Sequence, residues 1–122
     1  MIEHSLDTAT SILSVRLQAS LTRDDFAQLA ETADPYIEKT GGLAGLVVEA
    51  PAFPGWDSLG AMAAHFRFVR EHHRHIKRIA LVTDIALAEV AERLAAHFVS
   101  AEMKRFPAGE LDAAKRWITS RP

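Results

Sequence analysis

The sequence predicts one α/β domain over residues 1–122, built on a mixed, mostly parallel sheet with helices on its faces. A length of 122 residues is usual for a single domain. Two apolar runs, residues 43–48 and 78–83, are too short for independent helices and are typical of parallel strands covered on both sides. Segments with helical spacing follow these runs and supply the crossovers. The predicted order is β-β-α-β-α-β-α-β-α.

The chain begins with a predicted antiparallel hairpin. Residues 2–6 form a first short strand. In the second strand Leu13, Val15 and Leu17 fall on one side, at the period of two that marks a strand. The turn formers at residues 7–10 lie between them, so the two strands are expected to pair directly.

A first helix is predicted to begin after Thr22, because Asp25 stands three residues later in the spacing of a capping box. Apolar residues then recur at helical spacing until Gly41 and Gly42 end the pattern. The residues expected to face the core are Phe26, Leu29, Ala30, Ala33 and Ile37.

Two further helices are predicted on the crossovers of the sheet. The first covers residues 57–73, and its expected inward face consists of Leu59, Met62, Ala63, Phe66, Val69 and His73. The second is expected to begin at Asp84, as its N-cap, and to bury Leu87, Val90, Ala91, Leu94 and Phe98.

The chain closes with a predicted edge strand and a short helix. Residues 101–106 are polar and carry a lysine, as edge strands often do. Pro107 and Gly109 end this strand. Residues 110–119 then have helical spacing, and the residues expected to face inward are Leu111, Ala114 and Ile118.

Composition excludes several classes of function. The net charge is −2 and basic residues are interspersed with acidic ones, so we expect no nucleic-acid partner. The absence of cysteine excludes disulfides and thiolate metal sites. No signal peptide and no apolar run long enough to span a bilayer is visible, so a cytoplasmic protein is the default expectation.

No catalytic or cofactor motif stands out. Gly41-Gly42 lacks the Lys-Ser/Thr of a phosphate loop, and Ser58 lacks the flanking glycines of a nucleophile elbow. Glu49 and Asp84 follow predicted strands, where α/β sites commonly lie, but a strand end and an N-cap explain them. We therefore expect neither enzymatic activity nor a cofactor.

The element order and the segment at residues 53–60, Phe-Pro-Gly-Trp-Asp-Ser-Leu-Gly, together resemble bacterial SpoIIAA-like proteins of the STAS/Sec14-related group. The similarity covers essentially the whole chain, including residues 106–118. It implies a STAS-type fold and one of two functions. The first is binding of apolar ligands or membrane surfaces, by analogy with Sec14-type lipid carriers. The second is regulation by partner switching, in which a serine of an Asp-Ser-Ser-Gly loop is phosphorylated.

The switch motif of that family carries over only in part. Asp57, Ser58 and Gly60 match its Asp, first Ser and Gly, whereas Leu59 occupies the phosphoacceptor position and has no hydroxyl. A shift of one residue would make Ser58 the candidate phosphoacceptor, beside the positive end of the following helix. The simpler interpretation is that Asp57 or Ser58 caps that helix.

The candidate ligand-binding residues surround the start and middle of the predicted 57–73 helix. Phe53 and Trp56 lie in a connecting loop, where aromatics mark a ligand mouth or a partner surface, or fold back as a cap. Phe66 and Phe68 are about 200° apart on the helix, so one of them should lie near a surface or a cavity. The predicted apolar site consists of Phe53, Trp56, Leu59, Met62, Phe66 and Phe68.

Basic residues crowd the end of the same helix. Arg67, Arg70 and Arg74 share a face that would take an anionic headgroup, or form a solvated surface. His72 and His75 have a chelating spacing, but no carboxylate completes the set, so no metal is expected. The expected partners are an apolar small molecule or lipid, a peripheral membrane surface, a protein partner, or a second copy of the chain through Phe68 or the predicted edge strand.

Overall fold

The structure, a computed structural model, describes residues 1–51, 55–85 and 99–120. Its described strands form one sheet in the order in which they occur along the chain. They are β1 (Ile2–Asp7), β2 (Ile12–Leu17), β3 (Leu43–Glu49), β4 (Ile76–Val82) and β5 (Glu102–Phe106). The hairpin strands β1 and β2 are antiparallel, and every later neighbouring pair is parallel. The predicted mixed, mostly parallel sheet is thus confirmed, with β5 at an edge of the described sheet.

Helices cover both faces of this sheet. The described helices are α1 (Arg23–Thr40), α2 (Leu59–His72) and α3 (Leu111–Thr119). A short 3₁₀ turn, His73–His75, joins α2 to β4. None of the described helices is long and apolar enough to cross a bilayer. The helix predicted after Asp84, with Leu87, Val90, Ala91, Leu94 and Phe98 as its core positions, lies outside the described residues.

The alternation of side chains along the strands separates two hydrophobic cores. Leu13 and Val15 of β2 point to the face that α1 and α2 cover, together with Ile79 of β4. The intervening positions point to the opposite face, where α3 packs. The buried residues of that second core are Ile12, Val47, Ala80, Val82, Phe106, Ala114 and Ile118.

Helix α1 begins and ends where its local signals place it. The Thr22 hydroxyl accepts a hydrogen bond from the Asp25 N–H at 3.1 Å, and the Asp25 carboxylate accepts one from the Thr22 N–H at 2.9 Å. The predicted capping box is therefore confirmed. The helix ends at Gly41, whose φ of 93° is a left-handed conformation that favours glycine.

The predicted inward face of α2 is wrong at Leu59, Ala63 and Phe66, whereas Val69 and His73 do lie on the side that faces the sheet. Leu59 is 80% exposed and Phe66 is 57% exposed, and Ala63 also faces solvent. The core is instead contacted by the opposite side of the helix, which carries Ala61, Ala64, His65, Phe68 and His72. The prediction failed because it treated these histidines as polar surface residues, whereas hydrogen bonds allow imidazoles to be buried. The separate expectation that one of Phe66 and Phe68 lies near a surface or a cavity agrees with the exposed position of Phe66.

Candidate functional site

A cavity of about 490 Å³ lies between the sheet and helices α1 and α2. Its wall is built from side chains of the first core, which come from every strand of the described sheet and from both helices. Nearly all of them are aliphatic or aromatic. Representative lining residues are Leu13, Val15, Phe26, Leu29, Val48, Phe68, Ile79, Leu81 and Met103. A concave apolar space of this size is typical of small-molecule sites.

Residues 55–57 reach the cavity region through a short backbone bridge. The Leu21 N–H donates to the Gly55 carbonyl at 2.8 Å, and the Asp57 N–H donates to the Leu21 carbonyl at 2.9 Å. Leu21 is itself buried in the first core. This bridge fixes Trp56 beside α2, where the half-buried indole packs against the core.

The indole of Trp56 holds the ring of His65, which lines the cavity. Trp56 Nε1 donates a hydrogen bond to His65 Nδ1 at 3.1 Å. The Phe26 ring stacks on the imidazole, with the two centroids 4.9 Å apart and the planes 15° from parallel. Burial among these rings lowers the pKa of His65 below its ordinary value of 6.5, because the charged imidazolium is poorly solvated there.

A second imidazole in the cavity wall links α2 to α1. His72 is buried, and its Nδ1 donates to the Phe68 carbonyl at 2.7 Å while Nε2 meets the Asp34 carboxylate at 2.6 Å. The ring also stacks on Phe68, with centroids 4.0 Å apart. His72 is therefore held by groups of both helices.

The sequence candidates for ligand binding occupy different places around this site. Phe68 lines the cavity, whereas Trp56, Leu59, Met62 and Phe66 do not. Trp56 contacts His65, which does line the cavity. Phe66 lies edge-on to the Trp56 ring, with the two centroids 5.9 Å apart. Phe53 lies outside the described residues. Sequence reasoning missed His65 and the lining positions of the strands as ligand contacts.

The basic candidates lie on the outer side of α2. Arg67 and Arg70 are exposed on the helix, and Arg74 is exposed on the 3₁₀ turn that follows. Within the described residues, no group of three or more histidines and carboxylates is placed to hold a metal ion. His72, one of the two histidines with chelating spacing, is occupied by Phe68 and Asp34.

Ser58 is the N-cap of α2, as one of the two predicted alternatives has it. Its hydroxyl oxygen accepts from the Ala61 N–H at 3.0 Å, and the side chain is exposed. The Arg23 guanidinium lies against Gly60 in the next turn, so close that a Cβ there would come within 2.6 Å of Arg23 Nε. A cationic group thus stands near the first turn of α2.

The mixed sheet, its two helix-covered faces and the apolar cavity define a small STAS-type α/β domain. The family model described as SpoIIAA-like matches residues 12–119, and the chain belongs to this family. A solved structure from Shewanella loihica PV-4, described as an uncharacterized protein from the DUF3478 family with a SpoIIAA-like fold, is similar to it. The similarity covers 96% of this chain and 93% of that one, with 22% sequence identity and a TM-score of 0.75. No curated protein matches the chain.

Proposed function

We propose that this chain is a non-catalytic domain that binds an apolar, lipid-like small molecule between the sheet and helices α1 and α2. The observation that supports the proposal is the cavity of about 490 Å³ with its almost entirely apolar wall. Each square ångström of apolar ligand surface removed from water there contributes roughly 25 cal/mol. Shape and burial, rather than a reactive group, would supply the affinity.

The proposal places the binding residues on the inner side of α2 and on the sheet. Phe68 and His65 of α2 belong to the wall on the helix side. Val48 of β3 and Leu81 of β4 belong to the wall on the sheet side. Trp56 supports this site by holding His65 in place. The exposed Leu59 and Phe66 are not part of it.

Native mass spectrometry of freshly purified protein, followed by denaturing extraction, tests this proposal. The expected result is a co-purified apolar molecule or, for empty protein, saturable binding of the uncharged dye Nile red. A Val48→Phe variant, which adds a ring to the cavity wall, should weaken dye binding about tenfold or more. Leu59→Ala, an exposed change on the same helix as Phe68, is the matched control and should bind as the parent does. Absence of both an extracted molecule and dye binding would refute the proposal.

A second candidate function, contact with an anionic membrane surface, is favoured by the outer face of α2. At 100° per residue, Leu59, Phe66, Arg67 and Arg70 fall within about 100° of arc on this helix. All four side chains are exposed. Apolar side chains flanked by cations are what an interfacial helix presents to anionic lipid.

Sedimentation with vesicles tests the membrane candidate. The protein should bind vesicles that contain phosphatidylglycerol and not vesicles of phosphatidylcholine alone, and the double variant Arg67→Glu, Arg70→Glu should abolish binding. The double variant Lys115→Glu, Arg116→Glu, which changes two exposed basic residues of α3 on the opposite side of the sheet, is the charge-matched control. If the double variant of α2 binds these vesicles as well as the parent protein does, α2 is not the surface that contacts the membrane.

Failure to bind vesicles would favour the partner-switching alternative that the family resemblance implies. In that case the exposed residues of α2 would contact a protein, and Ser58 would be the phosphoacceptor. Incubation with a serine kinase and ATP would then add one phosphate to the parent chain and none to Ser58→Ala. A homodimer through the same face would be recognised by its mass in light scattering.

A further inference from the structure

The hydrogen bond from Trp56 determines which nitrogen of His65 carries the proton. An indole N–H only donates, so the Nδ1 that it meets at 3.1 Å must present a lone pair. The imidazole is then neutral, with its proton on Nε2. The lowered pKa of His65, caused by burial, agrees with the neutral form. The tautomer is thus fixed by a neighbouring side chain rather than by solvent.

Among the residues that the structure describes, no group accepts a hydrogen bond from the Nε2–H of His65. Every fully buried side-chain nitrogen or oxygen in that part of the chain does have a partner, so Nε2 remains accessible. His65 is also one of the side chains that line the cavity. Stacking on Phe26 and the bond from Trp56 restrain the ring, so the donor is held in place.

The other described polar side chains in the cavity wall are engaged within the protein. His72 is bonded to the Phe68 carbonyl and to Asp34. The Thr83 hydroxyl donates to the Ala50 carbonyl at 2.6 Å and accepts from the Ile85 N–H at 3.1 Å. His73 accepts from the Ser100 N–H at 3.0 Å in a solvent-exposed bond, at the far end of α2 from His65.

The described cavity wall contains no lysine or arginine side chain. A carboxylate transferred into such a space would lose its hydration without gaining a free counter-ion, because the imidazole of His72 is already paired with Asp34, and this loss is costly. An uncharged oxygen would lose much less, and one N–H donor suffices to pair it. Of two lipid-like ligands with the same apolar chain, the one with an uncharged oxygen group should therefore bind more tightly than the one with a carboxylate.

We infer that the Nε2–H of His65 pairs with a ligand oxygen, and that the cavity takes an uncharged apolar molecule with one such oxygen, an alcohol, ketone or ester, in preference to a fatty-acid anion. This inference rests on the proposed apolar-ligand function and specifies its ligand class. Trp56 acts as a positioning residue, because it fixes the tautomer of His65 without lining the cavity.

Displacement of Nile red by 1-decanol and by decanoate at pH 7.5 tests the preference. These probes share an alkyl chain and differ in their charged or uncharged oxygen group. The expected result is tighter binding of 1-decanol by about tenfold or more. His65→Phe, which keeps an aromatic ring and removes the donor, should weaken 1-decanol binding about fivefold, the equivalent of one hydrogen bond. His75→Phe, which changes an exposed histidine outside the cavity wall, is the matched control and should leave this affinity unchanged.

A measurement without ligand distinguishes the loss of one hydrogen bond from the misfolding of a variant. Long-range ¹H–¹⁵N spectra of the parent protein should show the His65 proton on Nε2, and Trp56→Phe should release this restraint and shrink the preference for 1-decanol. Equal or tighter binding of decanoate, or a proton on Nδ1, would overturn the inference while leaving apolar binding intact. If neither probe displaces the dye and the dye itself does not bind, the proposed function fails as well.

Discussion

At the scale of single residues, Asp25 has two structural roles. One carboxylate oxygen accepts from the Thr22 N–H at 2.9 Å and completes the capping box of α1. The other accepts from the Ile2 N–H at 3.2 Å and connects the helix to β1. Partial burial raises the pKa of Asp25, but these hydrogen bonds outweigh burial, and the pKa lies below the ordinary value of 3.8.

We predict that Asp25→Asn destabilises the protein by about 1 kcal/mol at neutral pH, because an amide oxygen replaces two acceptors with one. The native pKa is depressed, so the stabilisation by the carboxylate is complete well above pH 3.8 and is lost as the pH falls below that value. Urea unfolding of both proteins between pH 7 and pH 3 measures the effect. The difference between them should shrink toward pH 3, and a difference that does not depend on pH would contradict this assignment.

Control for that experiment comes from Asp112, an exposed acidic residue in the first turn of α3. Asp112→Asn should change the free energy of unfolding by no more than a few tenths of a kcal/mol, since exposed changes of this type usually have small effects.

Local contacts were predictable from the sequence and distant ones were not. The capping box of Thr22 and Asp25 spans three residues, so its spacing alone indicates it. The pairing of Trp56 with His65 depends on Leu21, which lies far away in the chain, between β2 and α1, and pairs with residues 55–57. No spacing rule connects these positions.

At the scale of elements, two glycines lie where helices pack closely against other elements: Gly45 where α3 contacts β3, and Gly60 where Arg23 of α1 contacts α2. A Cβ at Gly45 of β3 would overlap the side chain of Ile118 in α3, within 2.6 Å of its Cδ1. A Cβ at Gly60 of α2 would meet only the guanidinium of Arg23. The first neighbour is fixed in a packed core, and the second is the flexible end of an exposed side chain.

We predict that Gly45→Ala destabilises the protein by about 1–3 kcal/mol, because the added methyl forces α3 away from the sheet. Gly60→Ala is the matched substitution and should leave stability unchanged or raise it by up to about 1 kcal/mol, because alanine favours the helix. Chemical unfolding of both variants measures the contrast. Equal effects of the two changes would show that α3 does not pack against β3 as described.

The strands were easier to predict than the orientation of α2. Alternation in β2 and continuous apolar runs in β3 and β4 are strong signals, because both faces of the sheet are covered. In α2 the side that contains Leu59 and Phe66 is more hydrophobic in sequence than the side that carries His65 and His72, so the sequence predicted the wrong side to be buried. Hydrogen bonds to Trp56 and Asp34 bury those imidazoles, and such bonds belong to tertiary structure.

At the scale of the whole molecule, element order determines the fold, whereas packing determines the cavity. The hairpin and the alternating strands and helices are sufficient to predict a mixed sheet, and the STAS-type domain is what the family resemblance of this order and of residues 53–60 implies. A cavity of about 490 Å³ lies between the sheet and two helices. No residue type signals such a space, because the same Leu, Val and Ile residues would form an ordinary solid core.

The two cores on opposite faces of the sheet allow the central proposal to be tested within one molecule. Methyl groups of Leu13, Val15, Val48 and Ile79 lie in the cavity wall. Methyl groups of Ile12, Val47, Val82 and Ile118 lie in the core under α3. Leu59 on the outside of α2 reports on surface binding.

Titration of ¹³C-methyl-labelled protein with 1-decanol is the most direct measurement. The account predicts saturable chemical-shift changes at the methyl groups of the cavity wall. The methyl groups under α3 and those of Leu59 should show no change above the noise. No shifts, or shifts confined to Leu59 or to the core under α3, would contradict the assignment of this cavity as a binding site for an apolar ligand.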